Sequence, residues 1–103
     1  PLVLFECMAS KTPFLTTDVG NSAEIVEWSN AGMLLPTAKD AKGFSMADVR
    51  GSAKMVEDMY NDGILRGKMR ESGFRVWQER FTWDKITRTY EALYHKLLFE
   101  EKC

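Results

Sequence analysis

Apolar residues recur at helical spacing along much of this chain, most regularly towards its C-terminal end. The stripe there comprises Trp83, Ile86, Tyr90, Leu93, Leu97 and Leu98. Residues three or four positions apart lie on the same face of a helix, so the spacing predicts a final helix over about 83–102. Thr82 can cap its first turn, and Asp84 suits the positive end of the helix dipole.

Five earlier segments show the same period or helix-start signals. They cover residues 2–10, 22–27, 46–60, 64–72 and a stretch marked by Phe74, Trp77 and Phe81. In the first segment, Leu2, Phe5 and Ala9 share one face with Met8 beside it, which predicts the buried side of that helix.

Caps and glycines indicate where these helices begin and end. A polar residue followed three positions later by a carboxylate has the spacing of a capping box. This spacing occurs as Asn21 with Glu24 and as Ser45 with Asp48. Gly73 is placed to end the fourth segment. Together these signals predict six helices.

Two short runs predict strands, Phe14–Thr17 and Met33–Leu35. A predicted helix lies between them, and a strand–helix–strand unit pairs its strands in parallel. The polar residues 37–43 that follow are predicted to form a loop. Two parallel strands cannot make a stable sheet alone, because such sheets are buried on both faces. We therefore expect the chain to form one edge of a larger doubly wound α/β domain whose other strands lie upstream.

Composition places the chain among ordinary globular proteins. Its 103 residues suffice for one domain, and 45% hydrophobic with 28% charged residues excludes intrinsic disorder. The 14 basic and 15 acidic residues leave a net charge of -1, so no basic field attracts nucleic acid. The longest apolar run is Leu2–Phe5, far short of the roughly 20 residues that a membrane span needs.

Cysteine and histidine are scarce. Cys7 and Cys103 lie near opposite ends, and His95 is the single histidine. Structural zinc needs four such ligands, so no metal site is predicted. We interpret both cysteines as free thiols in a reducing, cytoplasmic compartment. We interpret His95, which precedes Lys96, as a surface residue and not as a catalytic base.

Two stretches in the first third of the chain follow the sequence pattern of a known family. Residues 1–13, PLVLFECMASKTP, are similar to P-L-V-x-x-E-A-M-A-x-G-x-P. Residues 18–26, DVGNSAEIV, are similar to D-V-G-G-x-x-E-I-V, and GMLLP at 32–36 is similar to G-x-L-V-P. The departures are Cys7 in place of Ala, Lys11 in place of Gly and Asn21 in place of Gly.

A third stretch completes the resemblance. Gly73, RFTW at 80–83 and YEALY at 90–94 are similar to G-x-x-x-x-x-x-R-F-S-W and Y-x-x-L-Y. Together the three stretches resemble the C-terminal part of the retaining glycosyltransferases of family 4, which have the GT-B fold. The resemblance implies that residues 1–103 are a single partial domain. It would be the helix-rich C-terminal portion of a Rossmann-like nucleotide-sugar-binding domain, with two short parallel strands and about six helices.

The resemblance also implies a donor site on the first helix. Glu6 matches the second of two glutamates separated by seven residues, which in that family binds the ribose hydroxyls of the donor nucleotide. The first glutamate would lie before residue 1. The backbone amides of Leu2 and Val3 match those that hold the donor diphosphate. On spacing alone, Glu6 is an ordinary solvated carboxylate, and the flanking match favours the binding role. No catalytic residue is assigned within the chain.

An enzyme of this kind moves a sugar from a nucleotide-diphosphate sugar to an acceptor, retains the anomeric configuration and uses no separate cofactor. The resemblance places the acceptor site in an N-terminal domain that this chain lacks, so we expect the chain alone to be inactive. It also implies that the final helix crosses to that domain. Its apolar face would then be uncovered here, which predicts self-association. Peripheral membrane contact of the whole enzyme is a further expectation.

Two other function classes stay open. One is a non-catalytic, helix-rich interaction module whose last helix docks on a partner. The other is a different α/β nucleotide-binding protein, which the lack of a Gly-rich phosphate loop disfavours.

Asp18 follows a predicted strand but is interpreted as an ordinary turn residue. A set of aromatic residues is interpreted as packing and not as a stacking platform for sugars or bases. This set is Trp77, Phe81, Trp83, Tyr90 and Tyr94.

Overall fold

The computed structural model describes residues 1–99, which form five α-helices, one π-helical turn and four short strands. The helices are α1 (Leu2–Ala9), α2 (Ser22–Ser29), α3 (Val49–Asn61), α4 (Gly63–Val76) and α5 (Trp83–Phe99), and Trp77–Phe81 form the π turn. The strands are β1 (Phe14–Thr16), β2 (Gly32–Leu34), β3 (Thr37–Lys39) and β4 (Ser45–Ala47). The protein is therefore α/β and rich in helix, as its sequence predicts.

The strand–helix–strand unit is confirmed. β1 and β2 pair in parallel, with Phe14 opposite Gly32 and Thr16 opposite Leu34, and α2 connects them. A side chain at position 32 would overlap the carbonyl oxygen and the ring of Phe14. Gly32 therefore lets the two strands and the Phe14 ring pack closely.

A second sheet replaces the predicted loop over 37–43. β3 and β4 form an antiparallel hairpin, and its turn is closed by the carboxylate of Asp40. That carboxylate accepts hydrogen bonds from the backbone N–H groups of Lys42 and Phe44, each at 2.9 Å. Gly43 has a φ of 84° in this turn. The loop prediction was wrong because the turn chemistry of Asp40 and Gly43 closes a hairpin across polar strands.

The predicted capping boxes both fail. α3 begins at Val49, three residues later than expected, because Asp48 is its N-cap and accepts a hydrogen bond from the Gly51 N–H at 2.8 Å. Asp48 therefore caps the helix itself and is not the partner of Ser45. At the start of α2, Asn21 makes no side-chain capping bond. Glu24 lies in the first turn of that helix, where its charge suits the helix dipole.

Gly73 does not end a helix, so the prediction of six helices was wrong. It lies inside α4, which continues directly into the π turn. A β-carbon at position 73 would lie 2.5 Å from the β-carbon of Ala31 and 3.6 Å from Met8 Cγ. The glycine is thus present for the close approach of α4 to α1 and to the segment before β2, and not as a helix stop.

The core lies between α1, α2 and the parallel strands. Its buried cluster consists of Leu4, Met8, Phe14, Ile25 and Ala31. On α1 the buried positions are therefore Leu4 and Met8, and the face predicted to be buried is shifted. Leu2, which was expected there, is 69% exposed.

Ser29 joins three segments around this core. Its hydroxyl donates to the carbonyl oxygen of Ile25 at 2.7 Å and accepts from the N–H of Ala31 at 3.1 Å. Its own carbonyl oxygen accepts from the Ser72 hydroxyl at 2.7 Å. The end of α2, the start of β2 and the middle of α4 are therefore connected through one buried polar residue.

The final helix is confirmed over its described part. α5 begins at Trp83, and the Thr82 hydroxyl accepts a hydrogen bond from the Lys85 N–H at 3.2 Å, as the predicted cap requires. Asp84 in the first turn forms an ion pair with Arg88 at 3.2 Å. The predicted end of this helix, residues 100–102, lies outside the described residues, as does Cys103. No residue of α5 through Phe99 is buried.

Candidate functional site

The three residues that the sequence predicts for a donor site lie on α1. Leu2 and Val3 form its first turn, and Glu6 follows one turn later, exposed to solvent. The first N–H groups of a helix have no partner within the helix. Leu2 and Glu6 are four residues apart, so they share one face about 6 Å apart along the axis. The structure thus brings free N–H groups and one carboxylate together at one end of α1.

The opposite end of α1 fixes the helix in place. The N–H of Lys11 donates to the carbonyl oxygen of Met8 at 3.2 Å, and the N–H of Thr12 donates to that of Cys7 at 2.9 Å. This pair of bonds is a Schellman motif, with Lys11 in the left-handed conformation at a φ of 57°. Buried Met8 and this closure set the rotation of α1 and hence the direction in which Glu6 points.

Cys7 lies beside Glu6 and is half-buried. Burial raises the pKa of its thiol, and the neighbouring Glu6 carboxylate raises that pKa further. A thiol needs its deprotonated form to act as a nucleophile or metal ligand. Cys7 also packs against the buried core cluster, which agrees with a packing role on α1.

An apolar cleft borders Glu6. It has a volume of about 280 Å³ and lies between α1, the π turn and the start of α5. Its lining residues are Leu2, Phe5, Glu6, Ala9, Trp77, Phe81, Trp83 and Ile86. Among these lining residues Glu6 alone is charged. The cleft can therefore take an apolar group next to the carboxylate, and it offers no cation to a diphosphate.

The wall of the cleft is held by aromatic contacts. The rings of Phe5 and Phe81 lie 4.9 Å apart, and Phe81 also stacks on Trp28 at 5.9 Å. The Arg80 guanidinium lies over both Trp28 and Phe81, at 5.4 and 4.9 Å from their centroids. The contact of Arg80 with Trp28 could not be predicted from the sequence, because the two residues are distant along the chain and no local spacing connects them.

The aromatic residues interpreted as packing fall into two groups. Trp77 and Phe81 pack against the core cluster, which confirms that interpretation for them. Trp83, Tyr90 and Tyr94 are exposed on α5, as expected for an apolar face that the described residues leave uncovered, so their interpretation as packing residues stays a prediction.

Asp18 and His95 have the ordinary surroundings predicted for them. Asp18 lies in the bend after β1, where its carbonyl oxygen accepts from the Ser45 hydroxyl at 3.0 Å. It thereby attaches the hairpin to the end of the parallel sheet. His95 is exposed on α5, and its ring lies 4.7 Å from that of Phe99.

Residues 1–99 contain no group of three or more His, Cys, Asp and Glu side chains positioned to hold a metal ion. Over the same residues, no helix has the length and apolar character required to cross a bilayer.

Two curated proteins match this chain over nearly its whole length. N-acetyl-alpha-D-glucosaminyl L-malate synthase of Bacillus anthracis is 29% identical over 101 residues, which are 98% of this chain and 24% of that protein. "Putative glycosyltransferase YtcC" of Bacillus subtilis (strain 168) is 24% identical over 96 residues, which are 93% of this chain and 22% of that protein. No family model and no solved structure matches the chain.

The chain spans about a quarter of the length of these two relatives. Both relatives are glycosyltransferases, and both matches cover more than nine-tenths of this chain. The comparisons therefore support a glycosyltransferase family for this chain.

Proposed function

We propose that this chain is the C-terminal part of the donor-binding domain of a retaining GT-B glycosyltransferase. The whole enzyme would transfer a sugar from a nucleotide-diphosphate sugar to an acceptor. The observation that carries the proposal is the match of nearly the whole chain to two glycosyltransferases, combined with the exposed Glu6 on the matching helix.

Glu6 would bind the ribose of the donor nucleotide. A carboxylate has two oxygens and can accept one hydrogen bond from each hydroxyl of a vicinal diol, and charge-assisted bonds of this kind are strong. Exposure of Glu6 leaves the carboxylate accessible, and the anchored end of α1 restricts its position. Such a preset carboxylate loses less conformational entropy when the nucleotide binds.

The start of α1 would hold the donor diphosphate. The free N–H groups of Leu2 and Val3 and the positive end of the helix dipole favour a negative group there. The diphosphate becomes the leaving group, so N–H groups that stabilise its charge would also promote departure. Because the cleft lining provides no cation, remaining charge stabilisation would come from parts of the enzyme outside this cleft.

A thermal-shift panel with UDP, GDP and ADP tests this proposal. The protein should carry the residues encoded upstream of Pro1, because the first glutamate and the acceptor site are expected there. A ligand that binds only the folded state stabilises it by about 2.7 kcal/mol at a hundredfold excess over its dissociation constant. We expect one nucleotide to raise the melting temperature and thereby to identify the donor base.

Two variants make the panel specific. Glu6→Ala should weaken binding of that nucleotide roughly tenfold or more, since a hydrogen bond to a charged group contributes about 1.5–3 kcal/mol. Glu27→Ala is the matched control, because Glu27 is also an exposed glutamate on an eight-residue helix. Absence of any shift from a folded protein would contradict the proposal and favour an interaction module. Equal shifts in both variants would contradict the binding role of Glu6.

A further inference from the structure

The outer edge of β2 has unpaired backbone groups. β2 bonds to β1 through positions 31, 33 and 35, as in the bond from the Phe14 N–H to the carbonyl oxygen of Ala31 at 3.3 Å. Successive residues of a strand alternate in direction, so the N–H and C=O groups of Gly32 and Leu34 point away from β1. Within residues 1–99, none of these four groups has a hydrogen-bond partner.

The unpaired groups of Gly32 are the more unusual, because this residue is buried. Buried backbone N–H and C=O groups nearly always have a hydrogen-bond partner. Free strand edges are commonly protected by a charged residue or a proline, and β2, with the sequence GML, has neither. The edge of β2 therefore has the character of a place that a further strand would complete.

A groove of about 560 Å³ lies beside this edge. β2 forms one wall, and Leu65, Lys68 and Met69 of α4 form the opposite one, with Val26 of α2 adding apolar surface. Lys68 is the one charged residue of the groove lining, and within residues 1–99 it forms no ion pair. The groove therefore suits an extended chain with apolar side chains and one negative charge.

We propose that this groove binds a short extended peptide segment of a partner protein, paired with β2 and carrying an acidic residue that contacts Lys68. Gly32 and Leu34 are two residues apart, so their groups repeat about every 6.6 Å along the edge. An extended peptide presents N–H and C=O groups at the same repeat, whereas a helix uses these groups internally. A carboxylate beside the Lys68 ammonium group adds a charge-assisted hydrogen bond.

The strands that we expect upstream belong to the opposite edge of the sheet. A strand before α1 would connect to β1 through α1, and strands connected in this way usually lie side by side. β2 already occupies one side of β1, so such a strand would take the other side. Neither Glu6 nor the start of α1 lines the groove, so this proposal does not depend on the proposed function.

Fluorescence anisotropy with two labelled seven-residue peptides tests the binding, using the protein with its upstream residues restored. The probe is the peptide TVEVTVT, which alternates apolar residues with polar ones and has one carboxylate. The matched peptide TVKVTVT has lysine in place of that glutamate. We expect saturable binding of TVEVTVT and at least tenfold weaker binding of TVKVTVT. Absence of saturable binding of TVEVTVT, or equal binding of both peptides, would overturn the proposal.

Two charge reversals on α4 locate the acidic contact. Lys68→Glu should weaken binding of TVEVTVT at least tenfold and strengthen binding of TVKVTVT, because the attraction and the repulsion exchange. Arg70→Glu is the matched control, since Arg70 is exposed on the same helix and does not line the groove. It should leave both affinities within about twofold of the parent. Equal effects of the two variants, with helix content retained in circular dichroism, would contradict the proposed contact.

Amide hydrogen exchange tests the pairing with β2. Bound TVEVTVT should slow exchange at Gly32 and Leu34 and leave Met33 unchanged, because the Met33 N–H is already paired with Phe14. Binding without this alternating protection would overturn the proposal. So would exchange at Gly32 and Leu34 that is as slow as at Met33 before peptide is added, because another part of the protein or a second copy would then cover the edge.

Discussion

Lys11 occupies a backbone conformation that glycine adopts most easily. Its φ of 57° is required by the two hydrogen bonds that close α1, and the pattern that the sequence resembles has glycine there. The lysine has a partial compensation, since its ammonium group lies 4.6 Å from the centroid of the Phe74 ring. Asn21, the other departure from glycine, has a φ of -101° and is unstrained. Of the two residues that replace glycine, Lys11 therefore has a backbone conformation with an energetic cost, and Asn21 does not.

Two substitutions of Lys11 distinguish the energetic cost of its left-handed backbone conformation from the contribution of its cation–π contact with Phe74. A left-handed residue other than glycine costs about 1–2 kcal/mol, and an exposed cation–π contact contributes about 0.5–1 kcal/mol. Lys11→Ala keeps the strain and loses the contact, so it should destabilise the fold. Lys11→Gly loses both, so it should be about 1 kcal/mol more stable than Lys11→Ala in urea unfolding. Equal stability of the two variants would show that position 11 is not held in this conformation.

At the scale of elements, α4 packs closely against the unit formed by β1, α2 and β2. Gly73 meets Ala31 where α4 crosses the segment before β2, and Ser72 donates to the Ser29 carbonyl next to it. Met69, one turn earlier, is buried. α4 can therefore approach α1 and α2 closely only along this glycine face.

Gly73→Ala should destabilise the protein by about 1–3 kcal/mol, because the new methyl group would collide with Ala31 in a packed region. Gly67→Ala, on the same helix, is the control. Nothing lies within 4 Å of its β-carbon position, so alanine should stabilise the helix by about 0.5–1 kcal/mol. Chemical denaturation of both variants measures these changes. The same sign for both would contradict the packing described for α4.

The cap of α3 gives a second element-scale prediction. Asp48→Ala removes the acceptor of the Gly51 N–H and should cost about 1 kcal/mol. Asp58→Ala removes an exposed ion pair with Lys54 on the same helix and should change stability by less than about 0.5 kcal/mol. Amide hydrogen exchange at Gly51 should accelerate in the first variant and not in the second. An unchanged rate in both would show that Asp48 does not cap α3.

At the scale of the whole molecule, the protein is less compact than a typical domain of its length. The radius of gyration is 17.3 Å, against about 13 Å for a compact domain of this length. The excess comes from the extended arrangement of α5 relative to a small core. This shape agrees with the absence of buried residues on α5 through Phe99.

Local patterns predicted some elements of the fold well. The stripe of α5, the Thr82 cap and the strands around α2 followed from spacing and turn residues. Two features did not follow. The hairpin over 37–47 depends on the Asp40 turn, which looks like loop sequence. Gly73 has its role because of Ala31, which is 42 positions earlier and cannot be read from local pattern.

The candidate site could be predicted only in part. Position and exposure of Glu6 followed from the α1 pattern and the resemblance around it. The apolar cleft and the Arg80 contacts depend on how the π turn folds back on α1 and α2, which no single segment encodes. The spacing of α5 predicted its apolar face, and the resemblance implied that this face would be uncovered in this chain.

The most direct test of the proposed function is a sugar-transfer assay of the protein with its upstream residues restored, using the sugar conjugate of the nucleotide that binds. The account predicts transfer by the parent protein and by Glu27→Ala. It predicts a roughly tenfold or larger rise in the donor KM for Glu6→Ala, and no transfer by the 103-residue chain alone. Transfer with an unchanged donor KM in Glu6→Ala would contradict the assignment of Glu6. Complete absence of transfer from a folded protein that has upstream residues would contradict the glycosyltransferase proposal.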